Sequence, residues 1–382
     1  MNFSTVQTRP RACGLFMLIF LLAACIFMES CAQVERKPLS ILDSSKHHTY
    51  TGIVMMNQGK LDDASREFDL ARELNQQEVK SFAGTALIKA YQGDFESAFE
   101  YMAKADQYAV KKEDRLFVHI GKIRLYTMSR SKKNWISEAR KEFESAVAIS
   151  PESSAAYFFM GLALEKNFDF DDAGILFAKV LDMNNEYVEE ADREWKLIKK
   201  ILDVNPETLT GKRIAIVDTA TRAEIAALLV EELQLDELYK GLGIQNEHLS
   251  PANIVLQKEA HSYQKAIDTV LAIGVKGLER YPDGRFYPYD LVTKAVLAVI
   301  IIDIIDKIAG DSYLLDIPEG NEFLYRNLSS DLPFYKEIIS VLSLGIMDAE
   351  VLAATRLAPY EPVSGVEVLL AFKRLKKLFL NL

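Results

Sequence analysis

Cysteine is nearly absent: the 382 residues hold three, Cys13, Cys25 and Cys31, all near the start. The rest of the chain therefore has no disulfide framework and no thiolate metal site. Histidine is sparse too, at 47, 48, 119, 248 and 261. His47 and His48 are adjacent and would not share a helix face, and no His-Glu-x-x-His occurs. There is no Gly-x-Ser-x-Gly and no Walker loop, since "TGKR" (210–213) lacks the upstream glycine. Gly241 and Gly243 form a lone Gly-x-Gly that reads as a turn after a helix. A basic tract is missing and net charge is −10, which disfavours nucleic acid because phosphate neutralisation supplies most of that affinity. No enzyme activity, cofactor or metal is expected from these residues.

What is present begins with an address. Arg9 and Arg11 precede "GLFMLIFLLAACIFM" (14–28), an apolar run too short to span a bilayer and closed by Glu29. Leu22-Ala23-Ala24-Cys25 within it resembles a bacterial lipobox. The resemblance implies a signal peptide over 1–24, an acylated Cys25 as the first mature residue, and a tether over 25–45. A multi-acyl group would anchor the chain stably in a membrane. Ile26 stands where Asp often retains such proteins in the inner membrane, so the periplasmic face of the outer membrane is expected in a diderm cell.

From 46 to 190 the sequence repeats itself. Ala64, Phe68 and Ala71 stand at 0, +4 and +7; so do Ala98, Met102 and Ala105; Ala139, Phe143 and Ala146; and Ala173, Phe177 and Val180. Two of the steps between copies are 34 residues, and "SRSKKN" (129–134) accounts for the longer middle one. Gly52 and Gly161 each fall twelve residues before the first alanine of a copy. Small residues there let two helices approach, and the large +4 residue fills the groove left between them. The acid pairs Asp62-Asp63 and Asp171-Asp172 recur at the same point and mark a turn and helix start. The pattern resembles the tetratricopeptide repeat, which implies helical hairpins stacked into a solenoid whose concave face binds a protein partner. Lys122, Arg124, Lys132 and Lys133 make a basic cluster that reads as a solvated face.

From 191 to 382 the period becomes 71. Gly274 and Gly345, Arg285 and Arg356, Pro288 and Pro359, Tyr289 and Tyr360, and Thr293 and Ser364 are each 71 apart. Thr221 lies 72 before Thr293, in a third copy whose loop lacks the Asp-Gly turn. Asp283-Gly284 suits a tight turn, Phe286 is placed to pack back on the helices, and Thr221 and Thr293 are natural N-caps. Glu224, three after Thr221, makes a capping box. "AVLAVIIIDIIDKIA" (295–309) is apolar nearly all round and reads as a core helix.

Tyr281-Pro282-Asp283-Gly284-Arg285-Phe286-Tyr287-Pro288 and Thr221-Arg222-Ala223-Glu224 resemble the S-layer homology family. The resemblance implies a three-repeat helical spindle that holds a cell-wall polysaccharide or peptidoglycan in grooves lined by cations. Arg222 matches the usual contact; Lys294 and Gly365 hold the equivalent places, and Arg285 and Arg356 could contribute. The whole is thus expected to be all-α: a tetratricopeptide solenoid followed by an S-layer homology spindle, on an envelope lipoprotein linking membrane, partner and wall. Two alternatives stand beside it: an assembly factor whose domains both bind proteins, and an unrecognised polysaccharide-acting enzyme.

Overall fold

The computed structural model describes residues 36–131, 133–241, 261–309, 328, 332–348 and 358–380. Cys25, Lys132 and Arg356 lie outside them. Among the described residues the chain is all-α, with sixteen helices, two isolated bridges and no strand. It divides into two compact units at 129/130.

The first unit holds α1 (Ser45–Asn57), α2 (Leu61–Leu74), α3 (Val79–Tyr91), α4 (Phe95–Tyr108) and α5 (Lys112–Ser129). Helix α2 buries Ala64, Phe68 and Ala71 on one face, and α4 buries Ala98, Met102 and Ala105. The glycines opposite explain the periodicity. A Cβ on Gly52 would lie 2.7 Å from the Phe68 ring, one on Gly84 2.3 Å from it, and one on Gly121 2.9 Å from Met102 Cε. Phe68 is therefore clamped between α1 and α3, and a methyl at either glycine overpacks the joint at a cost of about 1–3 kcal/mol. The insertion near 129–134 is only partly loop. Helix α5 runs 18 residues where α1 and α3 run 13, so part of the added length extends the helix.

The second unit opens with α6 (Trp135–Ile149), α7 (Ser154–Lys166), α8 (Phe170–Met183) and α9 (Val188–Val204). The same joint recurs: a Cβ on Gly161 would lie 2.7 Å from Phe177. Helix α9 crosses the expected 190/191 boundary unbroken. It packs on α8 at one end of the hairpin stack and also on α16 (Gly365–Leu380). After it come α10 (Leu209–Ala215), α11 (Arg222–Glu231), α12 (Leu235–Gly241), α13 (Gln264–Ile273), α14 (Lys294–Ala309) and α15 (Tyr335–Ser343).

These later helices are arranged around a ring of backbone hydrogen bonds. Three short extended segments lead into α11, α14 and α16. Ala220 N donates to Val363 O (2.7 Å), Val363 N to Val292 O (2.9 Å), and Val292 N to Ala220 O (3.0 Å). The second circuit matches it: Arg222 N to Asp290 O, Lys294 N to Glu361 O, and Gly365 N to Val217 O, at 2.9–3.0 Å. The helices exchange partners in the same order. Helix α11 packs with α13, α14 with α15, and α16 with α9 and α10. Position for position, α9 thus opens the first 71-residue copy. Left-handed residues end all three opening helices: Asn205 after α9 (φ 55°), Gly274 after α13 (φ 70°) and Gly345 just past α15 (φ 65°). Helix α14 buries Leu297, Ile300, Ile301, Ile304 and Ile305. Its buried Asp303 accepts Lys276 N (2.9 Å) and pairs with Lys307.

Where α9 serves both parts, two carboxyls meet. Glu165 of α7 is buried, and its Oε2 has no N–H or O–H partner, while Oε1 pairs with Lys166 Nζ at 2.9 Å. Glu194 of α9 lies against it. Burial first, then Glu165's charge and hydrogen bond, push the Glu194 carboxyl up to about 7; Lys166 opposes this and Asp218 adds to it. Below that value a proton on Glu194 would give Glu165 the donor it lacks. Because the folded-state value is raised, the contribution is fully present below the ordinary 4.5 and lost as pH rises through about 7. Glu194→Gln, which stays neutral, is therefore expected to match the parent in chemical denaturation at about pH 4. At about pH 8 it should exceed it by about 1 kcal/mol after allowance for solvent screening.

Candidate functional site: the turn loop and the helix-opening cations

The loop 275–293 joins α13 to α14. Gly284 takes φ 82°, with open space where a Cβ would point, so the turn needs glycine for its backbone and not for room. Tyr281 N and Arg285 O close the turn at 2.8 Å, and Asp283 Oδ1 accepts Arg285 N at 3.0 Å. The hydrogen bond from the Tyr287 hydroxyl, aided by Arg285 N, holds the Asp283 carboxyl below its ordinary range. Phe286 is fully buried, as its apolar character requires, and Pro288 O accepts Ala223 N at 3.1 Å.

The caps form as the motif spacing predicts. Thr221 and Glu224 make a reciprocal capping box on α11, with Thr221 N to Glu224 Oε2 at 2.8 Å. Ser364 and Glu367 repeat it on α16, and Thr293 Oγ1 accepts Val296 N at 3.3 Å on α14.

The cations behave differently from a set open to an anion. Arg222 is 6% exposed. Its Nε donates to Phe286 O (2.9 Å), Nη1 to Gly277 O (2.8 Å) and Nη2 to Glu279 O (2.6 Å). Its Cζ lies 4.9 Å from the Tyr281 ring centre and 4.7 Å from that of Phe286. Burial lowers its pKa, opposed by Tyr281, Asp290 and Glu279. The guanidinium thus staples the loop of one copy to the capped helix of another. Lys294 is buried as well, and its Nζ donates to Glu361 Oε2 at 2.9 Å. At the third equivalent place a Cβ on Gly365 would lie 1.7 Å from Ile214 O, so no side chain fits. Arg222 and Lys294 stand at separate joints of the ring and do not converge on one groove. Of the expected cations, Arg285 is the described one whose side chain is exposed.

Beside Arg285 the loop carries an aromatic face that charge-based reasoning missed. Tyr281, Tyr287 and Tyr289 are exposed. Tyr281 and Tyr287 meet edge to face at 5.3 Å, and Tyr289 meets His261 at 5.0 Å. The alternation of Tyr with Pro in "FYPYD" was the available signal. In the first unit a groove of about 570 Å³ lies along the first helices of the hairpins, lined by Lys46, Tyr50, Ile53, Val79, Lys80 and Tyr108 among others. In the basic cluster Lys122 pairs with Asp106 at 2.9 Å, and Arg124 donates to the Tyr91 hydroxyl at 2.9 Å. Among the described residues no group of acidic, histidine or cysteine side chains could hold a metal, and no helix is long and apolar enough to cross a membrane. No protein-family model matches the chain, and no curated protein sequence matches it.

Removing the Arg222 staple leaves three carbonyls to find new partners. Arg222→Ala is expected to destabilise the second unit by about 3 kcal/mol or more. Arg222→Lys should recover little of this, since an ammonium cannot serve three divergent acceptors with a planar fork. Chemical denaturation checks both; equal stability of all three proteins would show that the guanidinium is dispensable to the fold.

Proposed function

We propose that the chain is an envelope adaptor: a lipoprotein acylated at Cys25, with tetratricopeptide-like hairpins that take a protein partner and an S-layer-homology-like spindle that takes cell-wall glycan. The observation that carries the reading is the cyclic ring joining three copies of a 71-residue unit, one of them bearing the complete Asp-Gly loop. The Phe68 and Phe177 joints support the hairpin half, and the groove beside Ile53, Lys80 and Tyr108 is the place for a partner segment. The proposal differs from the motif resemblance in one respect. Arg222 and Lys294 are committed to the architecture, so the glycan contact falls on Arg285 and the tyrosines of the same loop.

The rival reading has both parts binding proteins in an assembly factor. The internal use of Arg222 and Lys294 favours it, because such a spindle keeps its shape without any wall ligand. Co-sedimentation of the full-length protein with polymer-bearing sacculi separates the two. The adaptor reading predicts binding by the parent and loss of about tenfold in affinity in Tyr287→Ala, Tyr289→Ala, Arg285→Ala, with unchanged chemical denaturation as the control that the fold is kept. Absence of binding by the parent would give the lead to the assembly reading.

A further inference from the structure

The strap that precedes α1 carries an unusual surface. Leu39 is 86% exposed, Ile41 98% and Leu42 68%. Scattered exposed aliphatics need no explanation, but three within four residues do. They do not belong to a slack tail. Asp43 gathers the strap: its carboxylate accepts Leu39 N (2.5 Å), Arg36 Nη1 (2.9 Å) and Nη2 (2.6 Å), and faces His48 Nε2 at 3.0 Å. Arg36 N donates to Glu73 O (2.8 Å) and Arg36 Nε pairs with Glu73, so the strap is fastened to α2. His48 Nδ1 meets Glu67 at 2.6 Å, so both ring nitrogens face carboxylates, an arrangement that suits the imidazolium. Burial lowers the His48 pKa, and Glu67 and Asp43 more than reverse that. Asn and Gly, the usual turn tips, are absent from "KPLSILD", and the turn presents aliphatic side chains instead.

We infer that this turn is a membrane-contacting wedge: Leu39, Ile41 and Leu42 enter the interfacial region of an anionic bilayer while Lys37 and Lys46 meet its headgroups. The inference rests on the proposed acylation of Cys25 for its choice of occupant. Ten residues separate Cys25 from Arg36, at most about 40 Å of extended chain, so in an anchored protein the turn stays within that reach of the lipid surface. Lys37 and Lys46 flank the apolar tip and supply the charge complementary to acidic lipid. The folded network around Asp43 fixes the direction in which the tip points, so the wedge would orient the first unit on the membrane as well as hold it there.

The test places an indole at the tip. Full-length Ile41→Trp is purified from a bacterial membrane fraction and reconstituted with vesicles of phosphatidylethanolamine and phosphatidylglycerol bearing brominated acyl chains. The parent, with Trp135 and Trp195, gives the background, and Ile175→Trp, exposed in the other unit, is the control. The wedge predicts a blue-shifted emission and about twofold or more greater bromine quenching for Ile41→Trp than for the control. Equal quenching in protein that floats with the vesicles overturns it. A blue shift without vesicles overturns it in favour of a second copy of the chain. Cys25→Ala separates the two claims. If it floats as the parent does, the anchor reading fails while excess quenching at position 41 still supports the wedge. If the parent does not float at all, both fail.

Discussion

Three backbone hydrogen bonds, Ala220 to Val363, Val363 to Val292 and Val292 to Ala220, are the constraint on which the second unit depends. They join segments lying far apart in the chain, and they do so without side chains. Each segment then launches a capped helix, so ring geometry sets where α11, α14 and α16 begin and how they converge. Buried backbone groups must be paired, and here the pairing is cyclic. No one of the three segments can leave without breaking two of the three bonds.

This closeness explains the fate of the helix-opening cations. A position that begins a helix at a crowded ring is surrounded by carbonyls from the neighbouring copy. Arg222 meets three of them and stacks on two aromatic rings, Lys294 meets Glu361, and Gly365 meets Ile214 O so closely that no side chain is tolerated. The three residues are three solutions to one packing problem. A ligand that competes for these positions must displace architecture, whereas one that binds the tyrosine face of the loop need not. Helix α9 extends the same economy to the join between the repeat types, since one helix completes the hairpin stack and opens the first ring copy. The carboxyl pair Glu165 and Glu194 lies at this join.

Much of this was legible in the sequence, for definable reasons. The 0, +4, +7 spacing of Ala64, Phe68 and Ala71 describes one helix face, so their burial followed from periodicity alone. Gly52 and Gly161 stood at fixed distances from those faces, and the structure shows their rings packed where a Cβ would be. The caps at Thr221 and Thr293 and the turn at Gly284 were readable because each is a local interaction within a few residues. Arg222 was not, because its acceptors lie 55 to 64 residues away and are carbonyls, which carry no residue signature. Helix α9 was missed as an opening helix because Asn205 replaces the glycine and α10 replaces the loop. The strap falls within the tether expected over 25–45, because its fastening depends on Glu67 and Glu73, which belong to a later helix.

Native-state hydrogen exchange at the amides of Ala220, Val292 and Val363 tests the ring most directly. If the ring holds the copies together, all three exchange only through the opening that also releases the α14 core amides, with a common free energy. Exchange of any one of them well ahead of α14 would contradict the account, because that segment could then leave while the rest of the second unit stayed folded.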